Sequence, residues 1–335
     1  MLITPPLIVK KRADNIELLR IVSMFLVLMV HYIPSRPRPD TQSVWEFLPE
    51  EVFTVLLHSI AVICVNCFVL ISGYFGIRWK WRSFSNLIFQ IVFWFLLDSI
   101  LAYCLGDQPQ TIALAFFTNF PQRWFIAAYI GLYVIAPVLN AFIEKCDEKA
   151  LLHMLLAYYA YSTLFGYIGH TPDMNEGMSV ISLMGLYFVG AYLKKASWTE
   201  RFTAKNYFAA FSTCVLLLAT ASLSLLCIGV SNSPLGYLNP LVILESAMLF
   251  MTFKRLNVRG GTAIRFFASS IFAVYLFHIH SLIYRRYIDT CDRIVSESNS
   301  FTLALCFMLT VMLTAVLIDK VRLWLFETLW TRKGV

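Results

Sequence analysis

Nine ionisable residues fall inside apolar stretches of this sequence: Glu17, Arg20, His31, His58, Asp98, His153, Glu245, His278 and His280. A titratable group at membrane depth is costly and is a functional hypothesis by default. Arg20 and His31 give the sharpest signal. The run between them, Ile21 to Val30, is ten residues without a charge. That is roughly 15 Å of helix, about half of a hydrocarbon core. The two side chains therefore cannot both reach headgroups unless the bilayer distorts. They are eleven residues apart, which at about 100° per residue is three turns plus roughly 20°, so both project from one face. That stripe, with Met24 and Val27 between, is expected to face a bundle interior. The alternative is a snorkelling Arg20 paired to Glu17, with an interfacial His31.

The chemistry open to such a set is proton transfer. A neutral imidazole with an ordinary pKa of about 6.5 can take a proton at working pH. His278 lies as far along its apolar stretch as His31 does, counted from the same side. His278 and His280 are two apart and point to roughly opposite faces, so at most one can share a pocket with His31. Asp98 falls in the same outer half and could meet an imidazole or another donor. Glu245, near the middle of its stretch, has the same two readings.

The cluster Arg78-Trp79-Lys80-Trp81-Arg82 follows Ser72-Gly73-Tyr74. It reads either as a positive-inside loop with Trp anchors or as a site for a polyanionic cytosolic ligand. Cys64 and Cys67 form a CxxC within an apolar helix, where they are soft packing residues. No P-loop, GxSxG, HExxH or strand-borne GxGxxG is present. No His, Cys and carboxylate set has metal-ligand spacing, so no metal is expected.

The elements that must position these groups are membrane helices. Of 335 residues, 59% are hydrophobic and 14% charged, against roughly half and a quarter in soluble domains. About 20 apolar residues are needed to cross. The expected spans are 16–33, 52–77, 84–105, 124–143, 151–169, 178–193, 206–230, 235–253, 265–286 and 300–318. With the N-terminus inside, 20 of the 27 Lys and Arg residues fall on inner segments and six on outer loops. That split favours ten spans with both ends cytoplasmic. The basic residues sit in short clusters between apolar blocks, which excludes a nucleic-acid surface. Residues 111–118 are too few to span and are expected to form an interfacial or re-entrant turn. The segment 321–333 is expected to lie as a helix at the inner interface. The first apolar block contains Arg20 and is followed by Tyr32-Ile33-Pro34, so it is expected to be a retained helix rather than a cleaved signal. The expectation is an all-α, polytopic transmembrane bundle of about ten spans, a single domain over 1–335.

Four segments resemble the membrane acyltransferase 3 family. Glu17-Leu-Leu-Arg20 followed by Met29-Val-His31 is similar to its first-helix signature. Cys67-Phe68-Val-Leu-Ile-Ser72-Gly73-Tyr74 is similar to its F-x-x-SG-[FY] segment. Arg123-Trp124-Phe125-Ile126 with Tyr133 and Pro137 is similar to its W-[FY]-L block, and Ser269-Ser270-Ile271-Phe-Ala-Val-Tyr275-Leu-Phe-His278 to its late S-x-x-x-Y-L-x-H block. They run in family order from the first helix to the ninth. Many members carry Glu-Glu-Gln after the Trp block. Here the stretch reads Ala127-Ala-Tyr129-Ile-Gly131-Leu, which resembles the branch of O-antigen acetylases and the enterobacterial-common-antigen acetyltransferase.

The resemblance implies transfer of an acyl group, usually acetyl from acetyl-CoA, to a hydroxyl or amine of a cell-surface or lipid-linked carbohydrate. The implied partners are acyl-CoA, that glycan and the lipid bilayer, with no nucleic acid and no bound cofactor. The implied location is the cell membrane, multi-pass, and a bacterial inner membrane. His31 is then the general base, with His278 or a tyrosine as oxyanion donor and Arg20 serving the donor's arm or phosphate, or helix structure. Arg78, Lys80 and Arg82 are the donor-binding candidates, and Asp98, Ser72, Tyr275 and Trp124 are supporting residues. An acyl-histidine intermediate is the other mechanism. The competing reading is a transporter or flippase of a glycan precursor, which fits intramembrane charges equally but should show two matching, Gly/Pro-broken halves.

Overall fold

Long apolar runs can cross lipid only if each backbone group is satisfied within its own segment or in a closed barrel. The described residues of this chain form helices and no strand. The structure is a computed structural model and describes residues 13–33, 49–112, 123–228, 234–298 and 300–332. In chain order the helices are α1 (Asp14–Tyr32), α2 (Pro49–Ala61), α3 (Cys64–Phe75), α4 (Trp81–Cys104), α5 (Trp124–Lys145), α6 (Glu148–Tyr161), α7 (Val180–Lys195), α8 (Ala204–Cys227), α9 (Pro240–Arg255), α10 (Gly261–Ala268), α11 (Ile271–His278), α12 (Ser281–Ser298) and α13 (Phe301–Arg332).

Among the described residues seven segments are long and apolar enough to cross a membrane: α1, α2 with α3, α4, α5, α8, α10 with α11, and α13. The expected spans 151–169, 178–193 and 235–253 are helical too, but shorter. α6 has 14 residues and runs into a π-helical turn at Ser162–Ile168; α7 and α9 have 16 each. Most of the interfacial turn expected at 111–118 lies outside the described residues.

α1 is the hub. It packs on α2, α3, α9, α10, α11 and α13. Its first turn is tied to two other helix ends. The Asn15 amide donates to the carbonyls of Phe253 and Lys254 at 2.9 and 3.1 Å, which answers open acceptors at the end of α9. Asp14 accepts from the Gly261 amide at 3.0 Å and pairs with Arg265 at 3.2 Å, a carboxylate at the positive end of α10. These ties fix the height and rotation of α1, and so of Arg20 and His31.

α3 and α7 cross with almost no space between backbones. A Cβ at Gly73 would lie 2.1 Å from the Tyr187 carbonyl oxygen, and one at Gly190 would lie 2.4 Å from that of Leu70. Small residues permit such close approach between membrane helices. The crossing sets the rotation of α3 and therefore the direction of Ser72.

Three expectations about the C-terminal third need correction. The ninth span, expected as one helix over 265–286, breaks at Ser269 and Ser270 and ends at His278. The break is stable because Lys320 reaches the Phe266 carbonyl at 2.5 Å and the Ser269 hydroxyl at 2.8 Å, a cation at a helix C-terminus. Residues 287–298, expected in an outer loop, belong to α12. Its Tyr284, Tyr287, Ile288 and Cys291 recur at helical spacing and face inward, while Arg285, Asp289 and Arg293 are exposed. The segment 321–333, expected to lie as a helix at the inner interface, is helical over its described residues but is the continuation of the last span. α13 continues through it for 32 residues, about 48 Å, because Arg322 is buried in an ion pair with Asp319 and holds the helix into the bundle.

Candidate active site

The last turn of α1 and the last turn of α11 bring two imidazoles together. His31 Nδ1 lies 2.8 Å from His278 Nε2, with ring centroids 5.0 Å apart. His278 is fully buried, and its Nδ1 lies 2.6 Å from the Val274 carbonyl oxygen. That contact decides the tautomers. A carbonyl only accepts, so His278 Nδ1 carries the proton and, in a neutral ring, Nε2 is an acceptor. His31 Nδ1 must then be the donor, which leaves the lone pair of a neutral His31 on Nε2. The chain Val274–His278–His31 thus presents a basic nitrogen in a fixed orientation, the arrangement by which a partner directs an imidazole. It also leaves His278 no proton for an oxyanion. Of the two groups expected as oxyanion donor, His278 in this tautomer has no free N–H, whereas a tyrosine keeps its hydroxyl.

α12 holds the backbone beneath His31. The Tyr284 hydroxyl donates to the His31 carbonyl at 3.1 Å and the Tyr287 hydroxyl to that of Leu28 at 2.8 Å. The Tyr284 ring meets the His31 ring edge-on at 5.9 Å. Tyr275, one turn before His278, places its ring 6.5 Å from His31. Its hydroxyl is buried and has no hydrogen-bond partner among the described residues. Arg123, just before α5, acts electrostatically on His31, His278, Tyr275 and Tyr284. It was visible in the sequence beside Trp124, but only as a loop charge.

Below this pair lies a cavity of about 250 Å³. Arg20, Ser83 and Ser269 stand at the end where α1, α4 and α11 begin, and Val27, Phe125 and Tyr275 at the other. Val27 is one turn before His31, so the cavity reaches to within a turn of the imidazole, with the Tyr275 ring between. The Arg20 side chain is 33% exposed and lies 3.5 Å from a Glu17 oxygen. Both readings of Arg20 therefore hold in part: it pairs with Glu17 and it also lines the cavity. Ser72 lines the same wall, its hydroxyl 2.9 Å from the Phe68 carbonyl and 3.2 Å from the Tyr129 hydroxyl.

Arg78, Lys80 and Arg82 are exposed and do not line the cavity, although Ser83 next to them does. Arg82 pairs with Glu327. Trp124 packs on Phe125 and Tyr237 and supports the cavity wall from behind. Asp98 is fully buried, and neither of its oxygens has a hydrogen-bond partner among the described residues; the structure brings no imidazole to it. His280 turns away from His31 and packs its ring on Phe95 at 5.6 Å. Glu245 is fully buried on α9, also without a hydrogen-bond partner among the described residues. Among the described residues no three His, Cys, Asp or Glu side chains are grouped to hold a metal ion.

Sequence reasoning missed a polar group in the bundle. Asp319 and Arg322 of α13, with side chains 0% and 1% exposed, pair at 2.6 Å. Asp319 also accepts from Gln90 at 3.1 Å and from Trp94 at 3.0 Å, and Arg322 donates to Asn86 at 2.6 Å. Their position at the end of the last apolar run made them look like flanking charges. The i,i+3 spacing of opposite charges was the signal that could have found them.

A family model for acyltransferase 3, described as an acyltransferase domain, matches residues 14–320. No curated protein and no solved structure matches the chain.

Proposed function

The chain belongs to the acyltransferase 3 family, a multi-pass membrane protein by its apolar helices, and from that membership we propose that it transfers acetyl from acetyl-CoA to a hydroxyl of a cell-surface or lipid-linked carbohydrate. The observation that carries this reading is the fixed His31–His278 pair above a cavity that begins at Arg20.

In the proposed step, the nucleotide end of the donor stays on the basic side formed by Arg20, Arg78, Lys80 and Arg82, and its thioester arm enters the cavity. The acceptor hydroxyl reaches His31, a half-buried residue. His31 Nε2 takes the hydroxyl proton as the oxygen attacks the thioester carbonyl carbon. The tetrahedral oxyanion accepts from the Tyr275 hydroxyl, a buried donor with no competing partner among the described residues. The C–S bond then breaks, the sulfur leaves as thiolate, and the proton on His31 passes to it. An ester and a free thiol result. His278 touches neither substrate; it positions His31 and shares the charge that His31 gains. The proposal includes ten spans with both ends cytoplasmic, in a bacterial inner membrane.

The test is transfer of labelled acetyl from acetyl-CoA to surface glycan in membranes carrying wild-type or His31→Ala protein. Loss of about 10²- to 10⁴-fold is expected from removing a general base. Full transfer by correctly inserted His31→Ala protein would remove the mechanism, and flux of an unmodified glycan precursor would replace it with transport.

A further inference from the structure

α4 places Asn86 and Gln90 one turn apart on the wall of the cavity, between Ser83 at its mouth and the Tyr275 end. Ordinarily a side-chain amide can turn either way, offering its carbonyl or its NH2. Here a buried ion pair removes the choice. The Asp319 carboxylate only accepts, so Gln90 must give it the NH2, at 3.1 Å. The Arg322 guanidinium only donates, so Asn86 must offer it the carbonyl, at 2.6 Å. Asp319 and Arg322 hold each other through two bonds, at 2.9 and 2.6 Å, so neither can swing to release its amide.

The remaining polar ends are therefore fixed by chemistry: an acceptor on Gln90 and a donor on Asn86. Neither the Gln90 carbonyl oxygen nor the Asn86 amide nitrogen makes a hydrogen bond among the described residues. Residues four apart on a helix are about 5–6 Å apart at Cβ. The wall thus shows one acceptor and one donor, side by side and without net charge. A phosphate would need donors alone, and an acyl chain neither. A trans amide points its N–H and C=O opposite ways, so each amide can meet only one of these residues; a neutral, linear chain with two successive secondary amides offers the N–H of one to Gln90, nearer the Tyr275 end, and the C=O of the next to Asn86, nearer the mouth.

We propose that Asn86 and Gln90 bind the amide linkages in the pantetheine arm of an acyl-CoA donor, with the Asp319–Arg322 pair as the positioning device behind them. This rests on the acyl-CoA reading above. It assigns each part of that donor a stretch of cavity. The anionic nucleotide meets Arg20 and the surface cations, the amides meet α4, and the thioester meets Tyr275 and His31.

The test compares donors that carry or lack amides. With wild-type membranes, acetyl-CoA is set against an analogue whose amide nearest the sulfur is an ester, and against S-ethyl thioacetate, which has no amide. The ester analogue should lose about tenfold in kcat/KM. In Asn86→Leu and Gln90→Met proteins the preference for acetyl-CoA over S-ethyl thioacetate should fall about tenfold, through donor KM rather than kcat. Equal use of the amide and ester donors by wild-type protein would overturn the proposal without any variant having to fold. A rise in acceptor KM with donor KM unmoved would overturn it in favour of a sugar-binding wall. If the wild-type protein transfers no acetyl from acetyl-CoA, the acyl-CoA reading itself fails, which is a separable result.

Discussion

Beyond the deep end of the cavity His278 is fully buried and both its ring nitrogens are engaged, one by a carbonyl and one by His31. At the mouth the Arg20 side chain is one-third exposed and, among the described residues, makes one long polar contact, 3.5 Å to Glu17. Under the proposed function the two ends are solved differently because their tasks would differ. A group that takes a proton must present one lone pair in one direction, and burial with a directed partner achieves that. A group that receives a polyanion from water must keep its own hydration and several free donors until the ligand arrives. Between them stand Asn86 and Gln90, oriented by a buried charge pair yet open toward the cavity.

The contrast can be broken at three points. The largest effect is expected from His278→Ala. Without its acceptor, His31 no longer has a fixed tautomer, and kcat should fall about 10³-fold with donor KM little changed. The pH profile of kcat should change shape as well, which simple loss of packing would not produce; a loss confined to donor KM would show that the two ends are not divided in this way. Tyr275→Phe comes next. Removing a hydroxyl aimed at the oxyanion should cost about 10²-fold in kcat, while its ring contacts with Phe125 and Phe272 keep the wall in place. Unaltered kcat in that variant would move the oxyanion donor elsewhere. The smallest effect is expected at the mouth. Arg20→Lys keeps the charge and loses the fork, so donor KM should rise about tenfold with kcat near normal. Loss of kcat instead would place Arg20 with the chemistry rather than with the donor.

The sequence showed the deep end more clearly than the wall. Arg20 and His31 stood out because a charge-free run separates them within one helix, a local property. The two-residue offset of His278 and His280 allowed only one of them to join His31, and His278 does. What the sequence hid depends on distance along the chain. Gln90 and Asp319 are 229 residues apart, and no window sees both. Lys320 and Arg322 looked like inner-side charges that mark topology, because hydropathy averages cannot tell a charge in water from one neutralised in a bundle. Ser269 and Ser270 are too few and too small to announce a break in an apolar run; Lys320, brought from α13, makes the break affordable to the backbone. The transition at 278–281 was missed for a related reason. The inward tyrosines of α12 continue the apolar pattern of α11, although one helix has ended at His278 and another begins at Ser281.

The ties made by the first turn of α1 also set an order on biogenesis. Asn15 has its acceptor 238 residues later and His31 its partner 247 residues later. At synthesis rates of about 5–20 residues per second, that interval is roughly ten seconds to most of a minute. Throughout it the leading helix carries a guanidinium and an imidazole with no finished pocket to hold them. It must wait in the membrane or beside the insertion machinery until α9 to α11 emerge. A ribosome that stops before the residue 250s therefore releases an orphan whose first helix is its least comfortable segment, and quality control has a simple mark by which to find it.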